Sequence, residues 1–127
     1  MKVRSTVDVF EDHLALAQAG EVETDIARNF APDCVLLTSY GVFRGHEGAR
    51  KAAELLDQQI GKTKYTYRTK LWHGELAFLE WSASTDRASI EDGADSYWIH
   101  DGRIRVMTIH YTVNSQSTGH KEPPRER

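Results

Sequence analysis

The chain has 127 residues, which is enough for one domain with a hydrophobic core and too few for two. Hydrophobic residues make up 39% and charged residues 28%, as in an ordinary globular domain. The formal net charge of -3 gives no broad attraction for nucleic acid or for an anionic membrane, so we expect neither as a partner.

The cysteine content and the N-terminus indicate the compartment. Cys34 is the only cysteine, so no disulfide can form within the chain, and in "DCVLLTS" it has the neighbours of a buried hydrophobic residue. The first 20 residues carry acidic side chains within their apolar pattern, unlike a signal peptide or a membrane span. We therefore expect a cytoplasmic protein.

Two helices open the chain. Apolar residues three and four apart from Thr6 to Ala19 predict an amphipathic helix that ends at Gly20. His13 lies at the edge of its apolar stripe. A second helix is predicted from Glu21 to Asn29, before Pro32.

Strands and a third helix follow. "DCVLLTS" (33–39) is rich in strand formers, and Tyr40-Gly41 predicts a hairpin into "VFRG". The third helix is "HEGARKAAELLDQQIG" (46–61). Three strand-like stretches come next: "TKYTYRTKLWHG", "ELAFLEWSASTDRA" and "DGADSYWIHDGRIRVMTIHYTV", the last folded about Asp101-Gly102. This order predicts an α+β domain, residues 1–113, with helices on one face of a curved antiparallel or mixed sheet. The polar residues 114–127 predict a flexible tail.

The strand phase raises the main question of the sequence. Alternate side chains of a strand point to opposite faces. The more apolar set, which we assign to the inner face, is Leu79, Trp81, Asp95, Tyr97, Met107, Ile109 and Tyr111. The opposite set, assigned to the convex face, includes Arg68, Lys70, Glu80, Trp98, Thr108 and His110. A β-bulge would reverse this phase and turn His110 inward. Asp95 is unexpected in an apolar set, because burying a carboxylate is costly unless it is paired.

Several motifs resemble those of a known superfamily. "F-A-P-D-C-V", "G-V-F-R-G-H-E-G-A-R" and "D-G-R-I", together with the helix pair, resemble the nuclear transport factor 2-like superfamily and its SnoaL-like, polyketide cyclase-like branch, from about Val7 to Val113. The resemblance implies a cone-shaped fold in which the bent sheet wraps three helices around an apolar pocket. It also implies a homodimer formed through the convex sheet face, with Trp98 as an anchor. Members include cyclases, isomerases, dehydratases, epoxide hydrolases and pocketed proteins without catalysis, so the fold alone does not decide the function.

The ketosteroid isomerase pattern gives a partial match. Aligned at Gly20 and at "G-R-I", it places His13 where that family has a hydrogen-bonding tyrosine and Asp95 where it has a neutral aspartic acid. Thr38 falls near the catalytic base, so the carboxylate that would remove a proton is missing. The Asp-Arg-Asp relay of limonene epoxide hydrolase has no counterpart. Since neither pattern is complete, the chemistry that remains is general acid-base catalysis by Asp95 and His13, and the further substrate-binding residues that we expect are Trp81, Tyr97, Tyr111, Met107, Thr38 and His110.

Two hypotheses remain open. The first is a cyclase, isomerase or dehydratase that needs no cofactor and acts by acid-base chemistry on a small hydrophobic carbonyl compound. The second is a non-catalytic module that binds a small ligand or assembles as a dimer. Asp95 is then a carboxylate that is bonded to a buried tyrosine or a backbone amide or that flanks a β-bulge, and His13 is a helix residue that caps a pocket. The histidines and the cysteine lack metal-ligand spacing, so we expect no metal site.

Overall fold

The computed structural model describes residues 3–115. Its elements, in chain order, are α1 (Thr6–Ala19), α2 (Val22–Asn29), β1 (Phe30–Thr38), β2 (Gly41–Arg44), α3 (Gly45–Ile60), β3 (Tyr65–His73), β4 (Leu76–Ser84), β5 (Ala88–His100), β6 (Arg103–His110) and β7 (Asn114–Ser115). The strands form one sheet in the order β2-β1-β6-β5-β4-β3, and β7 pairs with β5. The pairing of β1 with β6 is parallel and the others are antiparallel, which confirms the predicted α+β domain with a mixed sheet.

The helices cover the inner face of the sheet, and the core lies between them. Phe10 of α1 packs its ring 5.2 Å from the ring of Tyr97 on β5. Leu79, Ile99 and Met107 are buried in the same cluster. Burial of this apolar surface supplies most of the driving force for the fold, at about 25 cal/mol per Å².

Local bonds fix helix α1 against the sheet. The Ser5 hydroxyl accepts a bond from the backbone N–H of Asp8, and Gly20 ends the helix in the left-handed conformation at φ 76°. The amide of Gln18 then bonds both backbone groups of Tyr65: its Nε2 lies 2.8 Å from the Tyr65 carbonyl, and its Oε1 lies 2.6 Å from the Tyr65 nitrogen. These two bonds join the end of α1 to the start of β3.

Two boundaries differ from the sequence prediction. Strand β1 begins at Phe30, three residues before the predicted start, because Phe30 already pairs with Ile104. Pro32 lies in the irregular stretch between the paired residues Phe30 and Val35, where its missing N–H is tolerated. The first two residues of the predicted tail form strand β7. The rest of that tail lies outside the described residues.

A β-bulge overturns one assignment to the convex face. Tyr67 pairs with Trp81 and Thr69 with Glu80, so Arg68 is an extra residue in β3. The phase of the following residues is reversed, and Lys70 turns toward helix α1, where its Nζ lies 3.2 Å from Oε1 of Glu11. The prediction that Lys70 lies on the convex face is wrong for this reason.

A second bulge leaves the phase of the candidate site unchanged. It makes Arg105 the extra residue in β6, because Trp98 pairs with Val106 and Ile99 with Ile104. The bulge precedes Met107, so the inward phase of the following residues is the one that alternation predicts. His110 accordingly lies on the convex face with an exposed side chain, and the alternative in which it turns inward is wrong.

The convex face carries exposed apolar side chains. The exposed residues Leu37, Val42, Leu71, Leu76 and Trp98, with the half-buried Phe78, form what we call the convex apolar patch. Four of them lie in one row across the sheet, through the successive pairs Leu71–Phe78–Ser96–Thr108–Leu37–Val42. Ser96 and Thr108 separate Phe78 from Leu37 in this row, so the patch consists of two apolar groups on one face. Exposed apolar surface of this kind is typical of a binding interface. Within residues 3–115, no helix has the length and apolar character needed to cross a membrane.

Candidate functional site

A cavity of about 660 Å³ lies between the inner face of the sheet and the helices. Its volume is within the range of sites that hold small organic ligands. The aromatic residues of its lining are Phe30, Tyr40, Phe43, Tyr65, Tyr67, Trp81, Tyr97 and Tyr111. Exposed residues in the lining, among them Tyr40 and Lys62, show that it opens to solvent. Three buried acidic or histidine side chains also belong to the lining: His13, Asp25 and Asp95.

Asp95 projects from β5 into this cavity and is only 6% exposed. Its Oδ1 accepts a hydrogen bond of 3.1 Å from Nε1 of Trp81, and its Oδ2 accepts a longer bond of 3.4 Å from the Tyr97 hydroxyl. Burial raises the pKa of Asp95 to about 7, although the Trp81 bond, the positive charge of His13 and the Tyr97 bond all lower it. Both the acid and the carboxylate are therefore accessible near neutral pH.

His13 forms a buried pair with Asp25. Its Nδ1 lies 2.7 Å from Oδ2 of Asp25, so helices α1 and α2 meet at this bond. Burial lowers the pKa of His13, but the carboxylates of Asp25 and Asp95 outweigh this effect and the pKa is raised above its ordinary value. The imidazolium form is favoured, with Asp25 as its counter-ion.

The second ring nitrogen of His13 faces open space in the cavity. No residue in the 3–115 range bonds Nε2, and no buried polar side-chain atom in that range lacks a partner. The atom must therefore be accessible, and His13 lines the cavity. With Nδ1 held by Asp25, Nε2 is the nitrogen that can donate to a ligand.

A network behind the pair fixes its orientation. Asn29 is fully buried, and its Nδ2 donates to Oδ1 of Asp25 and to Oδ2 of Asp12, each at 2.9 Å. Its Oδ1 accepts a bond of 2.7 Å from Arg4. Asp12 in turn accepts two bonds from the guanidinium of Arg28. The position of Asp25, and with it that of the His13 ring, is thus set from both helices.

Tyr97 contacts both His13 and Asp95. Its ring centroid lies 5.4 Å from that of His13, in an edge-on arrangement, while its hydroxyl donates to Asp95. Burial raises the pKa of Tyr97 well above its ordinary value, so the hydroxyl keeps its proton at neutral pH. It is a neutral hydrogen-bond donor and an apolar wall between His13 and Asp95.

The structure brings together most of the residues that the sequence singled out. His13, Asp95, Trp81, Tyr97, Met107 and Tyr111 all line the cavity. Thr38 also lines it, but its hydroxyl donates to the Gly41 carbonyl at 3.1 Å and accepts from the Tyr40 nitrogen at 2.9 Å, so it is engaged in the β1–β2 turn. His110 is absent from the lining; its Nε2 lies 3.7 Å from Oδ2 of Asp92 on the surface, because no bulge intervenes between Met107 and His110.

The sequence reasoning missed Asp25 and Asn29. Both belong to helix α2, of which the sequence predicted only the extent. Val22, Asp25, Ile26 and Asn29 recur at spacings of three and four, and this signal places the two polar residues on the stripe that faces α1. Tyr67 was missed as well, and its hydroxyl donates to the Leu14 carbonyl at 3.1 Å. Within the described residues, no three His, Cys, Asp or Glu side chains are grouped closely enough to hold a metal ion.

Solved structures share this fold. An NTF2-like protein of unknown function from Cytophaga hutchinsonii matches with a TM-score of 0.68 at 13% identity, over 88% of this chain and 93% of that one. A candidate SnoaL-like polyketide cyclase from Mesorhizobium loti matches at 0.66 and 13%, over 85% and 100%. A candidate isomerase of the SnoaL-like family from Agrobacterium tumefaciens matches at 0.65 and 16%, over 84% and 96%. The class of the fold is therefore nuclear transport factor 2-like.

The family follows from the sequence match. The SnoaL-like domain matches residues 10–107, so the chain belongs to the SnoaL-like family, as its motifs suggested. No curated protein matches the chain in sequence at a significant level.

Proposed function

We propose that the protein is a cofactor-independent enzyme, a cyclase, isomerase or dehydratase, that transfers a proton on a small hydrophobic carbonyl compound bound in the cavity. One observation carries the proposal: a buried carboxyl group that titrates near neutrality and a histidine with an open Nε2 line the same aromatic cavity. A base whose pKa lies near the working pH is the most effective at moving protons.

The two groups have complementary roles. The ionised form of Asp95 removes a proton from the carbon next to the carbonyl group. The imidazolium of His13 donates from Nε2 to the carbonyl oxygen, which becomes negative as the enolate forms, and Asp25 balances its charge. The protonated Asp95 then returns the proton, either to a different carbon or to the oxygen of a second carbonyl group that the enolate has attacked.

The lining of the cavity supports this chemistry. His13 and Asp95 are buried among aromatic side chains, and this burial strengthens the interaction between the imidazolium and a developing enolate. The same burial raises the pKa of Asp95 and makes it a stronger base than an exposed carboxylate.

A non-catalytic ligand-binding module is the second candidate. It is favoured by Thr38, which by the motif alignment falls near the base of ketosteroid isomerases and whose hydroxyl is engaged in a turn. In that case the cavity holds an apolar ligand, and Asp95 and His13 contribute only hydrogen bonds.

Isotope exchange separates the two candidates. The purified protein is incubated in D2O with a panel of cyclic, aryl and 1,3-dicarbonyl ketones, and mass spectrometry measures deuterium at the carbon next to the carbonyl group. We expect exchange above the buffer rate for at least one compound. Saturable binding, followed by quenching of tryptophan fluorescence, without any exchange would contradict the catalytic proposal and support the binding module.

We also propose that two copies of the chain pair through the convex apolar patch. The patch has members on five of the six strands of the main sheet order, with Thr108 of β6 between them, and a second copy would bury it by isologous contact. Its partly exposed tryptophan, Trp98, suits an interface anchor.

Charge placed in the patch tests the dimer. Sedimentation velocity should give the wild type about twice the 14.4 kDa mass of one chain. The double variant Leu71→Lys/Leu76→Lys should sediment as a monomer, because two buried charges would face each other across the interface. Val3→Lys, which changes an exposed apolar residue outside the patch, beside Gly102 of the β5–β6 turn, is the matched control and should remain a dimer. A monomeric wild type would overturn the pairing.

A further inference from the structure

Gly93 provides space for a side chain of the candidate site. It lies directly opposite Trp81 in the β4–β5 ladder, and a Cβ atom added there would overlap the indole ring. Its φ is not in the left-handed region, so the backbone conformation does not require glycine. The requirement is steric: the ring occupies the volume that any side chain at position 93 would fill.

The Trp81 ring is held in one position by its neighbours. Tyr65 meets it edge-on with the ring centroids 5.5 Å apart, and Tyr111 packs at 5.8 Å. The ring packs against the backbone of Gly93 on β5. In this position its Nε1 lies 3.1 Å from Oδ1 of Asp95, which is two residues after Gly93 on β5.

The two oxygens of Asp95 are consequently not equivalent. Oδ1 accepts the indole N–H, whereas Oδ2 has only the 3.4 Å contact with the Tyr97 hydroxyl. We propose that Trp81 and Gly93 act together as positioning residues for the proposed reaction, engaging Oδ1 of Asp95 and leaving Oδ2 as the oxygen that exchanges a proton with the ligand. This inference rests on the proposed function for its chemistry, but its structural part can be tested without a substrate.

The protonation equilibrium follows from this arrangement. In the neutral acid Oδ1 acts as the carbonyl oxygen, and the proton resides on Oδ2, where a ligand can reach it. In the ionised form the indole N–H stabilises the negative charge, because hydrogen bonds to a charged acceptor are the stronger ones. Removal of this donor must raise the pKa of Asp95. The titratable groups around Asp95 are His13 on α1, Asp25 on α2, Tyr65 and Tyr67 on β3, Tyr97 on β5, and Tyr111 after β6.

A carboxyl titration by ¹³C NMR tests the arrangement. The protein is labelled at aspartate side chains, and the Asp95 resonance is assigned with Asp95→Asn. Trp81→Phe should move the titration midpoint up by about one pH unit from about 7, since it keeps a ring and removes the N–H. Gly93→Ala should move it in the same direction although the tryptophan is still present. The double variant should show no further shift, because both changes remove the same bond.

The matched control for this titration is Trp98→Phe. Trp98 also lies on β5, but its indole is on the convex side, where Nε1 donates to Glu75. Its replacement by phenylalanine should leave the midpoint of Asp95 unchanged. An unshifted midpoint in Trp81→Phe overturns the inference, and an unshifted midpoint in Gly93→Ala removes Gly93 from it. If Gly93→Ala does not fold, the indole N–H resonance of Trp81 in the wild-type protein tests the bond to Asp95. Its chemical shift should change with pH at the midpoint of Asp95. A resonance that does not change with pH would contradict the bond.

The titration also separates this inference from the proposed function. A shifted midpoint without any isotope exchange would support the positioning role of Trp81 and Gly93 and would contradict the proposed enzymatic activity. Where exchange is found, Trp81→Phe should move its pH profile upward and lower kcat at pH 7 about fivefold with little change in KM, since less Asp95 is ionised at that pH. A loss of stability alone would not move the pH profile.

Discussion

Replacement of Asp95 by asparagine should lower the rate of deuterium exchange by about 10²–10⁴-fold, the usual contribution of a general acid or base. The amide matches the carboxyl group in shape: its Oδ1 still accepts from Trp81, and its Nδ2 can donate to the Tyr97 hydroxyl in place of accepting from it. The loss therefore reports the missing proton-transfer group and not a collapsed cavity. Asp101→Asn, in the exposed β5–β6 turn, is the matched control and should keep the wild-type rate.

Asp95→Asn should also be more stable than the wild type at alkaline pH. Asp95 has a pKa of about 7 in the folded protein, above the value of 3.8 for an unperturbed group, so the folded state binds more protons between these pH values. Its contribution to stability is therefore present at low pH and is lost as the pH rises through about 7. At pH 8, urea denaturation should give Asp95→Asn a free energy of unfolding higher by on the order of 2 kcal/mol. For the exchange experiment, a folded Asp95→Asn protein that exchanges deuterium at the wild-type rate would reject Asp95 as the base.

Replacement of Asp25 by asparagine should lower the free energy of unfolding by about 3 kcal/mol at pH 5, because it leaves the buried His13 without its counter-ion. The loss should be smaller at pH 9. Because the folded-state pKa of His13 is raised, its contribution to stability is fully present below the ordinary value of 6.5 and disappears as the pH rises through the raised value. Urea denaturation at both pH values measures the difference.

Two further variants make this result specific. Glu47→Gln, which breaks an exposed pair with Arg50, should change little at either pH. The double variant Asp25→Asn/His13→Gln should recover part of the loss, since it removes the buried charge together with its partner. An equal loss at pH 5 and pH 9 in Asp25→Asn would mean that His13 is not cationic in the folded protein.

Local sequence patterns predicted the fold and the inward direction of Asp95. Alternation in "DSYWI" places Asp95 with Tyr97 on the apolar face, and the turn at Asp101-Gly102 fixes where the partner strand begins. These features depend on residues close together in the chain. The bulges at Arg68 and Arg105 have no such marker, so the direction of Lys70 could not be read from alternation.

The contacts that His13 and Trp81 make could not be predicted from the sequence, because they depend on tertiary geometry. His13 and Asp25 lie on different helices, and their bond exists because α1 and α2 pack at a particular angle and rotation. The contact between Trp81 and Gly93 likewise depends on the register of β4 against β5 after an extra residue between Ile90 and Gly93. Sequence periodicity gives the face on which a residue lies, whereas register and helix rotation decide which residue it touches.

The most direct test of the account is the ionisation of Asp95 in the wild-type protein. A ¹³C titration of its side-chain carboxyl group needs no substrate and reports both burial and the surrounding donors. We expect a midpoint of about 7. A midpoint near the ordinary value of 3.8 would show a solvated carboxylate, and a group of that kind could not perform the proposed proton transfer.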